Sequence, residues 1–195
     1  LPIMLLLGSM EHGLRQIPND YSFKSQRMIN DGASFEFLVL GNSHAYLGVD
    51  PDQMGSVGFN AANISQDFRY DHMLLERYLE RMPHLEHLFI PVSYGSLVTS
   101  LESGQESWRV KNYAIYMDLE PAHLRLGDHI ELLNRPMRAQ VKMLAEHLLD
   151  KKDNLVCSHS GAGRASPGEP VDLVADGKRA ALRHTRAESA SMVEA

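Results

Sequence analysis

The stretch Phe35-Glu-Phe-Leu-Val-Leu-Gly-Asn-Ser-His44 decides the fold. Its first six residues, apolar except for Glu36, form a run rich in strand-favouring types, and the run ends abruptly at Gly41. The pattern predicts a buried strand that leads into a tight turn. A serine on a glycine-containing turn between a strand and a helix is exposed, and nearby backbone N–H groups can receive a developing oxyanion. Ser43 is therefore the candidate nucleophile.

Two further strands and a helix follow in the order expected of a parallel sheet. Short apolar runs at 58–62 and 85–92 predict the strands, and apolar residues at helical spacing predict a helix over 67–82, with Ser65 as its N-cap. Strand, helix and strand in this order indicate a right-handed parallel crossover. We expect an α/β fold, a flavodoxin-like three-layer sandwich with a parallel sheet. Three strands are few for a chain of this length, so the sheet is expected to be incomplete.

Small polar residues follow each of these strands. They occupy 41–44 after the first strand, 60–66 after the second and 93–96 after the third. Ligands of open parallel sheets bind beyond the carboxyl ends of the strands, so the three segments are expected to meet at one rim. Asn60 and Asn63 also suit turns in which they satisfy their own backbone, and the pattern leaves both interpretations open.

Residues 35–44 resemble the first sequence block of the SGNH or GDSL-type hydrolases, a strand followed by a Gly-Asp-Ser or Gly-Asn-Ser turn. Residues 60–67 resemble the second block, and the likeness covers roughly 35–96. The resemblance implies that Ser43 is the nucleophile and that its own backbone N–H is one oxyanion donor. It implies Asn63 as the second donor. Residues expected to contact the oxyanion or the substrate are Asn42, His44 and Ser93.

The chain departs from the family pattern in three places. Ser65 or Gln66 stands where the second block has Gly, and Ser93-Tyr-Gly95 stands where the third block has Gly-x-Asn. No Asp is followed by His three positions later, so the family's Asp-x-x-His base is missing. Two explanations remain open. Either the chain is an amino-terminal fragment, which its first residue, Leu rather than Met, also suggests, or the domain is a binding scaffold without hydrolytic activity.

The first 34 residues are interpreted as the remnant of an apolar anchor followed by a stem. Residues 1–8 are continuously apolar but shorter than the roughly 20 residues that span a membrane, and a short buried strand or helix start is the alternative. The nearest likeness within the family is to membrane-tethered bacterial members that modify cell-envelope or exported polysaccharides. This likeness implies an extracytoplasmic protein, periplasmic or at the cell surface, tethered through its amino terminus.

The remainder of the chain divides into three segments. Residues 97–128 lack a sustained period and are interpreted as an insertion, in which 108–117 suits a helix or a strand. Residues 129–149 are helical in pattern, and Pro136 is expected to kink or divide them. Residues 150–195 turn small and polar and are expected to form a loop or a disordered tail, so the SGNH-like domain is assigned to 35–149.

Composition argues against some classes of partner and site. The net charge is −6 and no Lys/Arg block is present, so nucleic acid is not an expected partner. A single cysteine excludes an internal disulfide, the histidines lack metal-site spacing, and we predict neither metal nor cofactor. The resemblance implies a serine esterase or acyl-transfer domain acting on O-acyl groups of carbohydrate. The alternatives are a non-catalytic SGNH-like domain that binds glycan or protein in the cell envelope, and an unrelated α/β module.

Overall fold

The protein is built around a small parallel sheet. The computed structural model describes residues 2–55, 57–123 and 125–164. Its strands are β1 (Phe37–Val39), β2 (Gly58–Asn60) and β3 (His87–Phe89). β1 lies in the middle of the order β2-β1-β3, and Leu38 pairs with Phe59 on one side and with Leu88 on the other. A flavodoxin-like sheet begins with this order. The predicted fold class is confirmed as an incomplete α/β fold of this kind.

Helices supply most of the remaining regular structure. The described residues contain seven α-helices, namely α1 (Pro2–Arg15), α2 (Asp20–Asn30), α3 (Ser43–Gly48), α4 (Phe68–Tyr78), α5 (Tyr94–Val98), α6 (Val110–Tyr116) and α7 (Met137–Asp150). α7 begins directly after Pro136, so this proline divides the predicted helical segment, and the part before it forms 3-10 turns. The left-handed backbone of Lys151, with φ of 55°, ends α7.

The cap of α4 differs from the prediction. The sequence predicts it at Ser65, but Asp67 is the N-cap, and its carboxylate accepts a hydrogen bond from Tyr70 N at 3.1 Å. Ser65 has φ of 61°, the left-handed region that favours glycine. A residue in that conformation cannot start the helix, and the next good capping side chain along the chain takes over.

The two faces of the sheet are covered by different helices. Leu38 and Phe59 face a large core cluster that includes side chains of α2, α4 and α6. Phe37 and Val39 face a second cluster with Tyr46 of α3. Because side chains alternate along a strand, β1 contributes to both clusters and is buried throughout. This burial on both faces fixes the strand that precedes Ser43.

The two edges of the sheet differ. Backbone of the 157–163 segment covers the β2 edge, where Asn60 N donates to Ser160 O at 2.8 Å. Gly161, with φ of 85°, lies so close that a Cβ would collide with Asn60 O. On the opposite side, all three residues of β3 are exposed, and Leu88 and Phe89 are 42% and 45% exposed. Among the described residues, β3 forms the open edge of the sheet.

The amino-terminal segment is helical. α1 packs Leu7, Met10 and Leu14 into a third small cluster and leaves the side chains of residues 3–6 exposed. α2 occupies part of the segment that the sequence suggests is a stem, and its Tyr21 and Met28 belong to the main core. Within the described part of the chain, no helix is long and apolar enough to cross a membrane. Residues 165–195, most of the predicted tail, lie outside the described residues.

Segment 97–128 contributes to the main core. Its buried side chains in that core are Leu101, Val110, Tyr113 and Met117. The sequence suggests a helix or a strand for 108–117, and α6 shows that this part is helical. Leu101 N also donates to the Asp67 carboxylate at 2.7 Å, which ties the segment to the start of α4. The segment is therefore packed against the helix that follows the β2 loop.

Candidate active site

Ser43 is the first residue of α3 and follows directly on the turn after β1. Gly41 has φ of 116°, which only glycine adopts readily, and its conformation turns the chain out of the strand. Asn42 is the N-cap of α3, and its Oδ1 accepts a hydrogen bond from His44 N at 3.0 Å. Ser43 is half-buried and His44 is exposed. The strand, the glycine turn and the cap place Ser43 at the carboxyl edge of the sheet.

Hydrogen bonds join the loops after all three strands. Asn63 N, in the loop after β2, donates to Gly41 O at 3.2 Å. Asn42 Nδ2 donates to the hydroxyl of Ser96, in the helix after β3, at 3.3 Å. The structure therefore brings the β1 turn into contact with both neighbouring loops. We call these residues, 41–44, 60–66 and 93–96, the rim.

The Asn63 side chain is buried and is bonded within the rim. Its Nδ2 donates to Gln66 Oε1 at 2.9 Å and to Ala61 O at 3.3 Å, and the residue is 2% exposed. Both amide protons thus have protein partners. To serve as an oxyanion donor, Asn63 must exchange the longer of these bonds for one to the substrate. The Asn60 side chain bonds to the backbone of its own turn, because its Oδ1 accepts a hydrogen bond from Ala62 N at 3.0 Å. This is the turn interpretation that the sequence leaves open for Asn60.

Ser93 caps the helix after β3. Ser96 N donates to Ser93 Oγ and Ser93 N donates to Ser96 Oγ, each at 3.3 Å, which completes a capping box, and the two hydroxyl oxygens lie 2.9 Å apart. Through Ser96, Ser93 is therefore two hydrogen bonds from Asn42. The neighbouring Tyr94 side chain is 70% exposed, so an aromatic ring stands beside these polar groups on the rim.

Ser43 Oγ makes no side-chain hydrogen bond among the described residues. The hydrogen bonds of this region involve Asn42, the His44 backbone and the two rim serines, and none of those in the described part of the chain reaches Ser43 Oγ. His72, on α4, is exposed and lies 3.3 Å from Glu76 on the same helix. The site therefore presents a positioned hydroxyl to which no histidine of the described residues is hydrogen-bonded.

A buried carboxylate lies behind the Ser43 turn. Asp71 of α4 is 4% exposed, and its Oδ1 accepts from Gly41 N at 2.8 Å and from Gln66 Nε2 at 2.6 Å. Burial raises the pKa of Asp71 to about 6, although the hydrogen bonds from Gln66 and Gly41 act in the opposite direction. The sequence does not single out Asp71, because one acidic residue on an amphipathic helix is ordinarily solvent-exposed.

A buried lysine lies on the other side of the turn. Lys24 of α2 is fully buried, donates a hydrogen bond from Nζ to Ala62 O, and has Nζ 4.5 Å from the centroid of the Tyr46 ring. The hydroxyl of Tyr46 in turn donates to Asp20 Oδ2 at 2.5 Å. Burial lowers the pKa of Lys24 to about 8 and raises that of the nearby Cys157 thiol to about 12. Lys24 thus connects α3 to the loop after β2.

The described side chains offer no metal centre. Over residues 2–55, 57–123 and 125–164, no group of three or more His, Cys, Asp or Glu side chains is arranged to hold a metal ion. The rim supplies hydroxyl, amide and backbone N–H groups, together with the exposed imidazole of His44.

Comparisons with known proteins found no relative of this chain. No known protein family matches it, and neither the curated proteins nor the solved structures contain a match.

Proposed function

We propose that this domain is a serine esterase or acyl-transfer domain that acts on O-acyl groups of cell-envelope carbohydrate. The position of Ser43 carries the proposal. A serine at the start of a helix, directly after the central strand and at the carboxyl edge of a parallel sheet, is where an open α/β fold presents a nucleophile to a ligand. The resemblance of 35–44 and 60–67 to the SGNH hydrolases supports the same assignment.

The proposed reaction is an attack of Ser43 Oγ on the carbonyl carbon of an ester. The carbon–oxygen bond to the sugar breaks, the acyl group passes to Ser43, and the sugar leaves as an alcohol that takes up the proton removed from Ser43. The Ser43 backbone N–H and the Asn63 amide stabilise the oxyanion, and Asn42, His44 and Ser93 contact the substrate. This sequence contains no Asp-x-x-His, so the general base that the reaction needs is not identified by the resemblance.

The exposed apolar start of α1 supports a proposed tether. Ile3, Met4, Leu5 and Leu6 are each more than 60% exposed and carry no charge. An uncharged apolar surface of this kind suits the hydrocarbon boundary of a membrane. We propose an extracytoplasmic location with attachment through the amino terminus.

Labelling by a fluorophosphonate tests the nucleophile. In the protein translated from the complete reading frame, we expect the probe to add its phosphonyl group to Ser43 and the Ser43→Ala variant to lose that adduct, as read by mass spectrometry of the peptide. Ser34→Ala, at an exposed serine outside the rim, serves as the control and should label like the unchanged protein. The 195-residue chain alone should hydrolyse nitrophenyl acetate weakly or not at all.

A folded complete protein that leaves Ser43 unlabelled would favour the second candidate, a non-catalytic domain that binds glycan at the rim. The exposed Tyr94 beside Ser93 and Asn42 favours this candidate, since an aromatic face flanked by polar groups suits a sugar ring. Calorimetric titration with an acylated oligosaccharide, repeated with Tyr94→Ala, measures this binding.

A further inference from the structure

The backbone of Gly41 is held on both sides. Its carbonyl accepts from Asn63 N at 3.2 Å, and its N–H donates to Asp71 Oδ1 at 2.8 Å. At this glycine the chain turns out of β1, with φ of 116°, and Ser43 follows two residues later. A small rotation at Gly41 would change the direction in which Ser43 leaves the strand. The bonds to Gly41 therefore control the placement of the nucleophile.

A network of side chains fixes the Asp71 carboxylate. Gln66 Nε2 donates to Asp71 Oδ1 at 2.6 Å, while Gln66 Oε1 accepts from Asn63 Nδ2 and from Tyr113 OH, each at 2.9 Å. A glutamine amide has a donor end and an acceptor end, so these partners allow it a single orientation. Asn63, Gln66 and Tyr113 are buried together with Asp71. The network connects the β1 turn, the β2 loop, α4 and α6.

The carboxylate at this position costs stability. Burial in a low-dielectric surrounding disfavours its charged form, and the nearby Asp67 adds like-charge repulsion. An apolar side chain could fill the space without that cost, but it could not accept the Gly41 N–H. Asp71 thus fixes the geometry of the turn and does not add to the stability of the fold through packing.

We propose that Asp71 is a positioning residue for Ser43, which holds the Gly41 turn through the Gly41 N–H and is itself oriented by Gln66 and Tyr113. The inference rests on the proposed function, because positioning matters for chemistry only if Ser43 reacts. It adds to that function a residue that lies outside both blocks of the SGNH resemblance.

Selective labelling with ¹⁵N-glycine isolates the bond to Gly41. The chain contains 14 glycines, so the amide spectrum is small enough to assign and to follow during hydrogen exchange. Asp71→Ala removes the acceptor, and we expect Gly41 N–H to exchange about tenfold faster or more, as loss of a charge-assisted hydrogen bond implies. Asp71→Asn keeps an Oδ1 acceptor, and its Gly41 exchange should stay within about threefold of the unchanged protein.

A matched control separates positioning from general destabilisation. Leu75→Ala removes a half-buried apolar side chain from the same helix and leaves the network intact. It should lower the free energy of unfolding without selectively accelerating exchange at Gly41. If Asp71→Ala does not fold, Gln66→Ala tests the same network, because it frees the carboxylate from its Gln66 bond and should also accelerate Gly41 exchange.

The labelling rate of Ser43 then connects the turn to the nucleophile. In the complete protein, Asp71→Ala should slow fluorophosphonate labelling by about 10- to 100-fold, and Asp71→Asn should restore most of the rate. Equal Gly41 exchange in Asp71→Ala and the unchanged protein would overturn the proposal, as would equal slowing by Leu75→Ala. If the unchanged protein is not labelled at all, the esterase function fails, whereas the exchange measurement still decides whether Asp71 holds the turn.

Discussion

Replacing Phe59 by alanine is expected to lower the free energy of unfolding by about 3–5 kcal/mol, as removal of a buried aromatic side chain usually does. Phe59 is the middle residue of β2 and is fully buried, and its ring stacks on Phe35 with centroids 5.0 Å apart. The cavity would open between the sheet and the main core cluster. Urea denaturation followed by far-ultraviolet circular dichroism measures the loss. A change of this size is a large fraction of the stability of an ordinary domain.

Phe89→Ala is the matched control for Phe59→Ala. It removes the same side chain from the same sheet, but Phe89 lies on β3 and is 45% exposed. We expect it to cost about 1 kcal/mol or less, since much of the ring is already in water. Equal losses for the two variants would contradict the difference in burial between β2 and β3, and would indicate that β3 is covered in solution.

The sequence predicts those parts of the fold that depend on local pattern. The apolar run at 35–40 and the glycine at 41 suffice for β1 and its turn, because burial on both faces and a left-handed backbone each have a recognisable residue signature. All three strands are shorter than predicted, since strand pairing ends where the partner ends and an apolar run continues past that point. Pro136 likewise marks the start of α7 because proline excludes the preceding helical turn.

The supports behind the Ser43 turn could not be predicted in this way. Asp71 lies 30 positions after Gly41, and the bond between them depends on how α4 packs against the sheet. Lys24 lies within a segment whose polar composition suggests a stem, and only its packing against Tyr46 and Ala62 shows that it is buried. A charged residue is more often exposed, so sequence pattern alone assigns both residues to the surface.

The capping of α4 illustrates the same limit at short range. Ser65 and Asp67 are both good capping residues, and the sequence offers no means to choose between them. The choice follows from the left-handed backbone at Ser65 and from the second bond that the Asp67 carboxylate makes, to Leu101 N, from a segment 34 positions away. A long-range contact thus selects between two locally equivalent caps.

Lys24 makes the stability depend on pH in a defined direction. Its pKa is about 8 in the folded protein, against 10.5 for an ordinary solvated lysine, because burial disfavours the charged ammonium. Between these two values the unfolded chain binds more protons than the folded one, so the free energy of unfolding rises as the pH rises. Below pH 8 the full cost of the buried charge is present. Between about pH 7 and 10 the linkage amounts to about 2–3 kcal/mol.

Lys24→Met removes this dependence, because methionine fills a similar volume without a titratable group. We expect the difference in free energy of unfolding, Lys24 protein minus Met variant, to increase by about 2–3 kcal/mol from about pH 7 to pH 10, as measured by urea denaturation at each pH. The loss of the bond to Ala62 O affects the variant at every pH and therefore leaves the slope unchanged. Lys142→Met, at a side chain that is 76% exposed, should give no comparable slope. Parallel pH profiles for the Lys24 protein and the Met variant would show that Lys24 is solvated, and the connection between α3 and the β2 loop would then need another residue.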